Sequence, residues 1–178
     1  MSSATEPAPG DVAGIHASNV TTWLAAHVAD LAPPLTFELI TGGHSNLTFS
    51  VTDSAGQRFV LRRPPLKQVL ATAHDMGREH RIIAALANTD VPVPPVVGLC
   101  TDPSVNDAPF YVMRFVDGTV VRDHAAAQAL PLHVRATAGD SIVDVLAKIH
   151  EVDVDAHGLG DLGKKEDFLP RQLKRWYG

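Results

Sequence analysis

The apolar residues of this chain change period in a fixed order, and that order leaves few folds open. Leu35, Phe37 and Leu39 alternate with polar neighbours, Leu47, Phe49 and Val51 do the same, and Phe59 to Arg62 makes a third short run. Three successive strands are predicted. Gly42-Gly43 parts the first two, and Asp53-Ser54-Ala55-Gly56 parts the second and third, residues that cap locally or tolerate positive φ in a tight turn. Pro64-Pro65 ends the third strand, and the spacing predicts a helix from about Asp75 to Ala87 with Met76, Ile83 and Leu86 on its inner side. Prolines 92, 94 and 95 follow its end. VVGLC at 96–100 and FYVMRFV at 110–116 read as two more strands joined by a loop. Ahead of all of these, Val20, Leu24, Val28 and Leu31 recur at helical spacing, with Ser18 available as a cap and Pro33-Pro34 as a stop. Beyond Asp117-Gly118 the pattern is helical throughout: Val134, Ala138, Ile142, Val145, Leu146 and Ile149 mark one long amphipathic helix.

The predicted architecture is therefore α+β, a five-stranded antiparallel-type sheet with one helix inserted after its third strand, followed by helices. Three segments emerge: a disordered tail over 1–14, a first lobe over 15–116, and a linker with the beginning of a helical region over 117–178. A net charge of −5 over 178 residues argues against a general nucleic-acid binder, which needs a basic surface to displace counterions. Basic groups do cluster locally, because between Ser54 and His74 the chain carries Arg58, Arg62, Arg63 and Lys67 and no acidic side chain. Such a stretch suits an anion, or simply a solvated charged edge. Cys100 is the only cysteine, so no internal disulfide can form and a reducing compartment fits. The first residues lack the basic start and apolar run of a signal peptide, and no apolar stretch approaches the roughly 20 residues of a membrane helix. The expectation is a cytoplasmic protein without a membrane or nucleic-acid partner.

Several stretches taken together, GGHSNLTF, FVLRRPP, HDMGREHRII, VPVPPVVGLC, PFYVMRFVDG and HGLGDLG…FLPRQLKRW, resemble the aminoglycoside phosphotransferase family. The likeness is to the branch related to the phosphotransferase modules attached to acyl-CoA dehydrogenases, and it runs from about Thr41 to Trp176. It implies a protein-kinase-like small lobe and an ATP-dependent transfer of the γ-phosphoryl group to a small-molecule hydroxyl. Such a nucleotide site needs a loop over the phosphates, a cation on the third strand, a carboxylate on the inserted helix and a strand whose backbone reads the base. On this resemblance Gly42 and Gly43 allow close approach of the backbone, and Ser45 and Asn46 add donors for phosphate oxygens. Strand alternation puts Val60 and Arg62 on one face and Phe59 and Leu61 on the other. Val60 would then roof adenine while Arg62, standing where the family carries lysine, would reach phosphate with a planar fork. Arg63 lies on the opposite face. Glu79 is the candidate carboxylate, Met113 the back of the base pocket, and the Arg114 carbonyl and Val116 amide, flanking Phe115, its hydrogen-bonding edge.

Two further patterns compete. Gly158 to Lys165 reads G-x-x-x-x-G-K but continues into Lys165 where a phosphate loop needs Ser or Thr, and it follows a helix. His150 to His157 offers ligand types for a metal at a spacing that fits no zinc or calcium pattern. What is missing bears on mechanism. The family's catalytic loop resembles H-G-D-x-x-x-x-N, and no asparagine follows Asn106. The catalytic Asp and Asn, and with them the magnesium ligands, are thus expected in a further helical lobe, this chain being an inactive nucleotide-binding fragment. Such a fragment would expose apolar helix faces and tend to self-associate. A non-catalytic kinase-like interaction module is the alternative, and an unrelated α+β protein with merely structural glycines is a third reading.

Overall fold

The structure, a computed structural model, describes residues 12–40, 46–66 and 74–177. Strands β1 (Thr36–Leu39), β2 (Leu47–Thr52), β3 (Arg58–Arg63), β4 (Val96–Cys100) and β5 (Phe110–Arg114) form one sheet in the order β1-β2-β3-β5-β4. Every neighbouring pair is antiparallel. Helix α1 (Ala17–Ala25) precedes the sheet, α2 (Met76–Leu86) enters between β3 and β4, and the short α3 (Pro103–Asn106) bridges β4 and β5. Helices α4 (His124–Ala129), α5 (Leu132–Glu151) and α6 (Phe168–Tyr177) follow. No described helix is long and apolar enough to cross a membrane.

Strand alternation divides the sheet into two faces with different tasks. Phe37, Phe49, Val51, Phe59, Leu61, Phe110 and Val112 turn to one side and pack with Val20, Leu24 and Val28 from α1 and the turn after it. This is the core. Trp23 of α1 meets Phe110 edge-on at 5.0 Å and stacks on His27 at 4.0 Å. These rings close over Gly98, where a Cβ would come within 3.2 Å of His27 and 3.3 Å of Trp23, so the helix approaches β4 at a residue without a side chain. The opposite face carries Val60, Arg62, Tyr111 and Met113, in register as Val60↔Met113 and Arg62↔Tyr111. Helix α2 lies against this second face.

Local chemistry differs from the sequence expectations at several points. Ser18 does not cap α1: the N-cap position is His16, without a side-chain cap bond, and the Ser18 carbonyl accepts from Thr22 Oγ1 inside the helix. Helix α2 starts one residue later than expected because Asp75 is its N-cap and accepts from the Arg78 amide at 2.9 Å. The β4–β5 connection, expected as a loop, contains α3, capped by Asp102 and ended by Asp107 in the left-handed region. Period alone misses a four-residue helix. The long helix expected through Val134 and Ile149 is α5, and a separate short helix, α4, precedes it, the two parted at Leu130 and Pro131. Strand β3 extends to Arg63, whose side chain turns to the α1 face and is buried, its guanidinium donating to the carbonyls of Gly14 and Asn106. Burial pushes the Arg63 guanidinium down from its ordinary value, opposed by the charge of Asp107. Helices α4, α5 and α6 bury no residue; Ile142 is 69% exposed and Trp176 76%. The apolar faces expected to lie open do so.

The β2–β3 turn is organised by Asp53, which is buried and accepts from the amides of Ala55 (3.0 Å), Gln57 (2.7 Å) and Ala32 (3.0 Å). Burial pushes the Asp53 carboxyl up, but backbone donors together outweigh it and hold the group below its ordinary 3.8. With the folded value depressed, this stabilisation is complete above 3.8 and is lost as pH falls through the lower folded value. Asp53→Ala is expected to lower the melting temperature at neutral pH, and the gap to the parent should close in acid. A gap independent of pH would show that the charge on Asp53 does not hold the turn.

Candidate functional site

The second face of the sheet gathers its polar groups around one carboxylate. Glu79 sits in the first turn of α2, and Arg62 projects from β3 so that its Nε lies 3.2 Å from Glu79 Oε2. The same oxygen accepts from the Tyr111 hydroxyl at 3.1 Å, and Oε1 accepts from Asn46 Nδ2 at 2.7 Å. Since an ionised carboxylate only accepts, the Asn46 amide must present its NH2 to Glu79 and its oxygen to His74, whose Nδ1 stands 2.6 Å away and therefore donates. Burial pushes the Tyr111 phenol up, with the Arg62 charge opposing and Glu79 adding to the rise. His80, the next residue of α2, packs edge-on against the Tyr111 ring at 6.2 Å, and burial pushes its imidazole down.

The Arg62–Glu79 contact is an ion pair rather than an aligned hydrogen bond. Arg62 Nε is buried and has no hydrogen-bond partner among the described residues, while the side chain as a whole keeps 31% exposure. Nε is therefore met by the charge of Glu79 alone, and the exposed part of the side chain is what an oxygen-rich anion could meet. Arg58, by contrast, pairs with Asp117 at 2.6 Å and lies over the Phe115 ring at 3.5 Å.

Next to this ion pair, Val60, Met113 and the Arg114–Val116 segment line one side of a cleft of about 390 Å³ whose other wall is Pro92, Val93 and Pro94. The lining is predominantly apolar, and the volume is in the range of small-molecule sites. Its backbone edge follows from the sheet. Phe115 spends its amide on the Arg58 carbonyl at 3.1 Å, so alternation directs the polar groups of Arg114 and Val116 the other way. The Arg114 amide donates to Pro95 at 2.8 Å. Pro95 has no N–H to return the bond, which leaves the Arg114 carbonyl without the partner a strand would normally give it.

The structure thus brings together Asn46, Arg62 and Glu79 at one end and Val60, Met113, Arg114, Phe115 and Val116 at the other. Gly42, Gly43 and Ser45 lie outside the described residues. Asn46 is placed beside Glu79 with both ends of its amide engaged. Tyr111 and His74 join the cluster without having been singled out in the sequence; strand alternation puts Tyr111 on the Arg62 face, but nothing local says that it reaches α2. The stretch from Gly158 to Lys165 is a run of turns docked on α2 by Arg78 and Arg81, ahead of α6 rather than opening it. Asp153 caps the turn before it, accepting from the amides of Asp155 and Ala156, and Lys165 pairs with Asp155.

A five-stranded antiparallel sheet of this order, with a helix inserted after its third strand, is the kinase-like fold of the aminoglycoside phosphotransferases. The chain belongs to the phosphotransferase enzyme family APH, whose pattern it matches over residues 36–178. It is 39% identical over 134 residues to acyl-CoA dehydrogenase family member 10 of Mus musculus, covering 75% of this chain and 12% of that protein. Acyl-CoA dehydrogenase family member 11 of Homo sapiens is 31% identical over 153 residues, covering 86% of this chain and 19% of that protein. Among solved structures, a provisionally assigned aminoglycoside phosphotransferase from Ralstonia eutropha JMP134 superposes with a TM-score of 0.72 at 37% identity, covering 90% of this chain and 45% of that one. The chain therefore spans less than half of these relatives.

Tyr111→Phe keeps the ring in place and removes one of the donors to Glu79. It should lower the unfolding free energy by about 1 kcal/mol, measured by chemical denaturation with an unchanged slope. Parental stability would mean that the hydroxyl does not serve Glu79.

Proposed function

We propose that this chain is the nucleotide-binding part of an ATP-dependent phosphotransferase that acts on a small-molecule hydroxyl. The observation that carries the reading is Arg62: a partly exposed guanidinium, paired with Glu79 yet with its buried Nε unmatched, beside an apolar cleft with an open backbone acceptor. These residues fit ATP. Val60 and Met113 supply apolar surface for a base, the Arg114 carbonyl and Val116 amide supply an acceptor and a donor for its edge, and Arg62 supplies charge for phosphate oxygens. Glu79, fixed by Tyr111 and Asn46, would hold Arg62 extended toward the phosphates instead of letting it fold back to solvent.

The reading is supported by the absence, after Asn106, of any asparagine and, throughout the 178 residues, of an H-G-D sequence, the pattern in which the proton acceptor and a magnesium ligand would stand. We therefore infer that the chain binds ATP and does not by itself transfer phosphate, and that it works in the cytoplasm. ATP should raise the melting temperature of the chain, and Arg62→Ala should weaken ATP binding roughly ten- to hundredfold, as the loss of a charge-assisted contact implies. Isothermal calorimetry distinguishes the outcomes. Equal affinity in parent and variant would remove Arg62 from the site, and absence of binding to the parent would remove the nucleotide reading. Sustained ATP turnover with a hydroxyl acceptor would overturn the inferred inactivity.

A further inference from the structure

The face of α2 turned away from the sheet is not idle. Residues two positions apart on a helix are turned by about 200° about its axis, so Glu79 and Arg81 point to opposite sides, whereas Arg78 and Arg81, three apart, share one face. That outer face is clamped by the turns between α5 and α6. Arg81 makes a two-pronged pair with Asp161, Nη2 to Oδ1 at 2.5 Å and Nη1 to Oδ2 at 3.0 Å, and also donates to the Gly158 carbonyl. Arg78 donates to the Leu162 carbonyl at 3.3 Å. Leu159, in the middle of these contacts, is buried. The Asp161 side chain holds the Arg81 guanidinium above its ordinary value, and Arg81 in turn holds the Asp161 carboxyl below its own.

An isolated exposed ion pair contributes little. This one differs in being forked, in sharing its arginine with a backbone carbonyl, and in standing over a buried leucine, so it fixes the rotation of α2 about its own axis. A forked guanidinium–carboxylate contact has one favourable geometry, which a point charge lacks. We propose that Arg81 and Asp161 form a latch by which the α5–α6 connection sets α2, and through it the position of Glu79 against Arg62. Both are positioning residues for the nucleotide site, which they do not touch. The proposal rests on the nucleotide reading above for its functional consequence, and on the latch geometry alone for its structural one.

The test combines ATP affinity with hydrogen exchange in α2 without nucleotide, comparing the parent with Asp161→Asn, Arg81→Gln, the reversed pair Arg81→Asp/Asp161→Arg, and Lys165→Ala. The last breaks a nearby ion pair that does not involve α2. Asp161→Asn and Arg81→Gln are expected to speed exchange in α2 and weaken ATP binding roughly three- to tenfold, within the range of couplings transmitted through packed networks. The reversed pair should recover part of both losses, and Lys165→Ala should change neither. Parental exchange in α2 for Asp161→Asn overturns the latch whether or not ATP binds. Faster exchange with parental ATP affinity, in a chain whose binding still depends on Arg62, overturns the link to Glu79. If the parent binds no ATP, the nucleotide reading and the positioning role fall together, and exchange alone decides the latch.

Discussion

The Glu79 carboxylate is the point on which the functional face of this lobe turns. Three side chains converge on it from three places: Arg62 from β3, Tyr111 from the neighbouring β5, and Asn46 from the residue just before β2. Without it the guanidinium of Arg62 would have no fixed counter-charge, the Tyr111 hydroxyl would be buried without an acceptor, and Asn46 would lose the partner that decides which way its amide points. A partly buried carboxylate is tolerable only because it is met by this many donors. In return it ties the sheet to the inserted helix by the hydrogen bonds from Tyr111 and Asn46, which are directional, where apolar contact would let the helix slide.

The two faces of the sheet show how one pattern serves two ends. Consecutive residues of β3 go to opposite sides: Phe59, Leu61 and Arg63 enter the α1 side, and Val60 and Arg62 the α2 side. On the first side, apolar area removed from water supplies stability, and even Arg63 is turned into a structural clamp by backbone carbonyls. On the second, polar groups are held in place but incompletely satisfied. Arg62 Nε lacks an aligned acceptor and the Arg114 carbonyl faces a proline that cannot donate. Both departures lie on the same face of the sheet, the Arg114 carbonyl at the cleft and Arg62 two residues along β3 from its lining residue Val60.

Much of this was legible in the sequence because it depends on short-range periodicity. The five strands, the inserted helix, the shared face of Val60 and Arg62 and the change to helical pattern after Asp117 all follow from residues close together in the chain. Glu79 as the partner of Arg62 came from the family likeness, and the contact at 3.2 Å is what the tertiary structure adds. The short helix α3 was hidden because four residues hold only about one helical turn, too few to show a period. Ser18 was a reasonable cap by type, yet the helix begins before it.

The sequence by itself determined which side of each strand faces the core, where the chain turns, and that no asparagine follows Asn106, since these depend on residue type and local spacing. Only the tertiary structure decided that Tyr111 and Asn46 both serve Glu79, that Pro95 leaves the Arg114 carbonyl open, and that Arg81 reaches Asp161 eighty positions away. Contacts between residues so distant in the chain leave no local period, because they are fixed by how the sheet twists and how the helix is laid upon it.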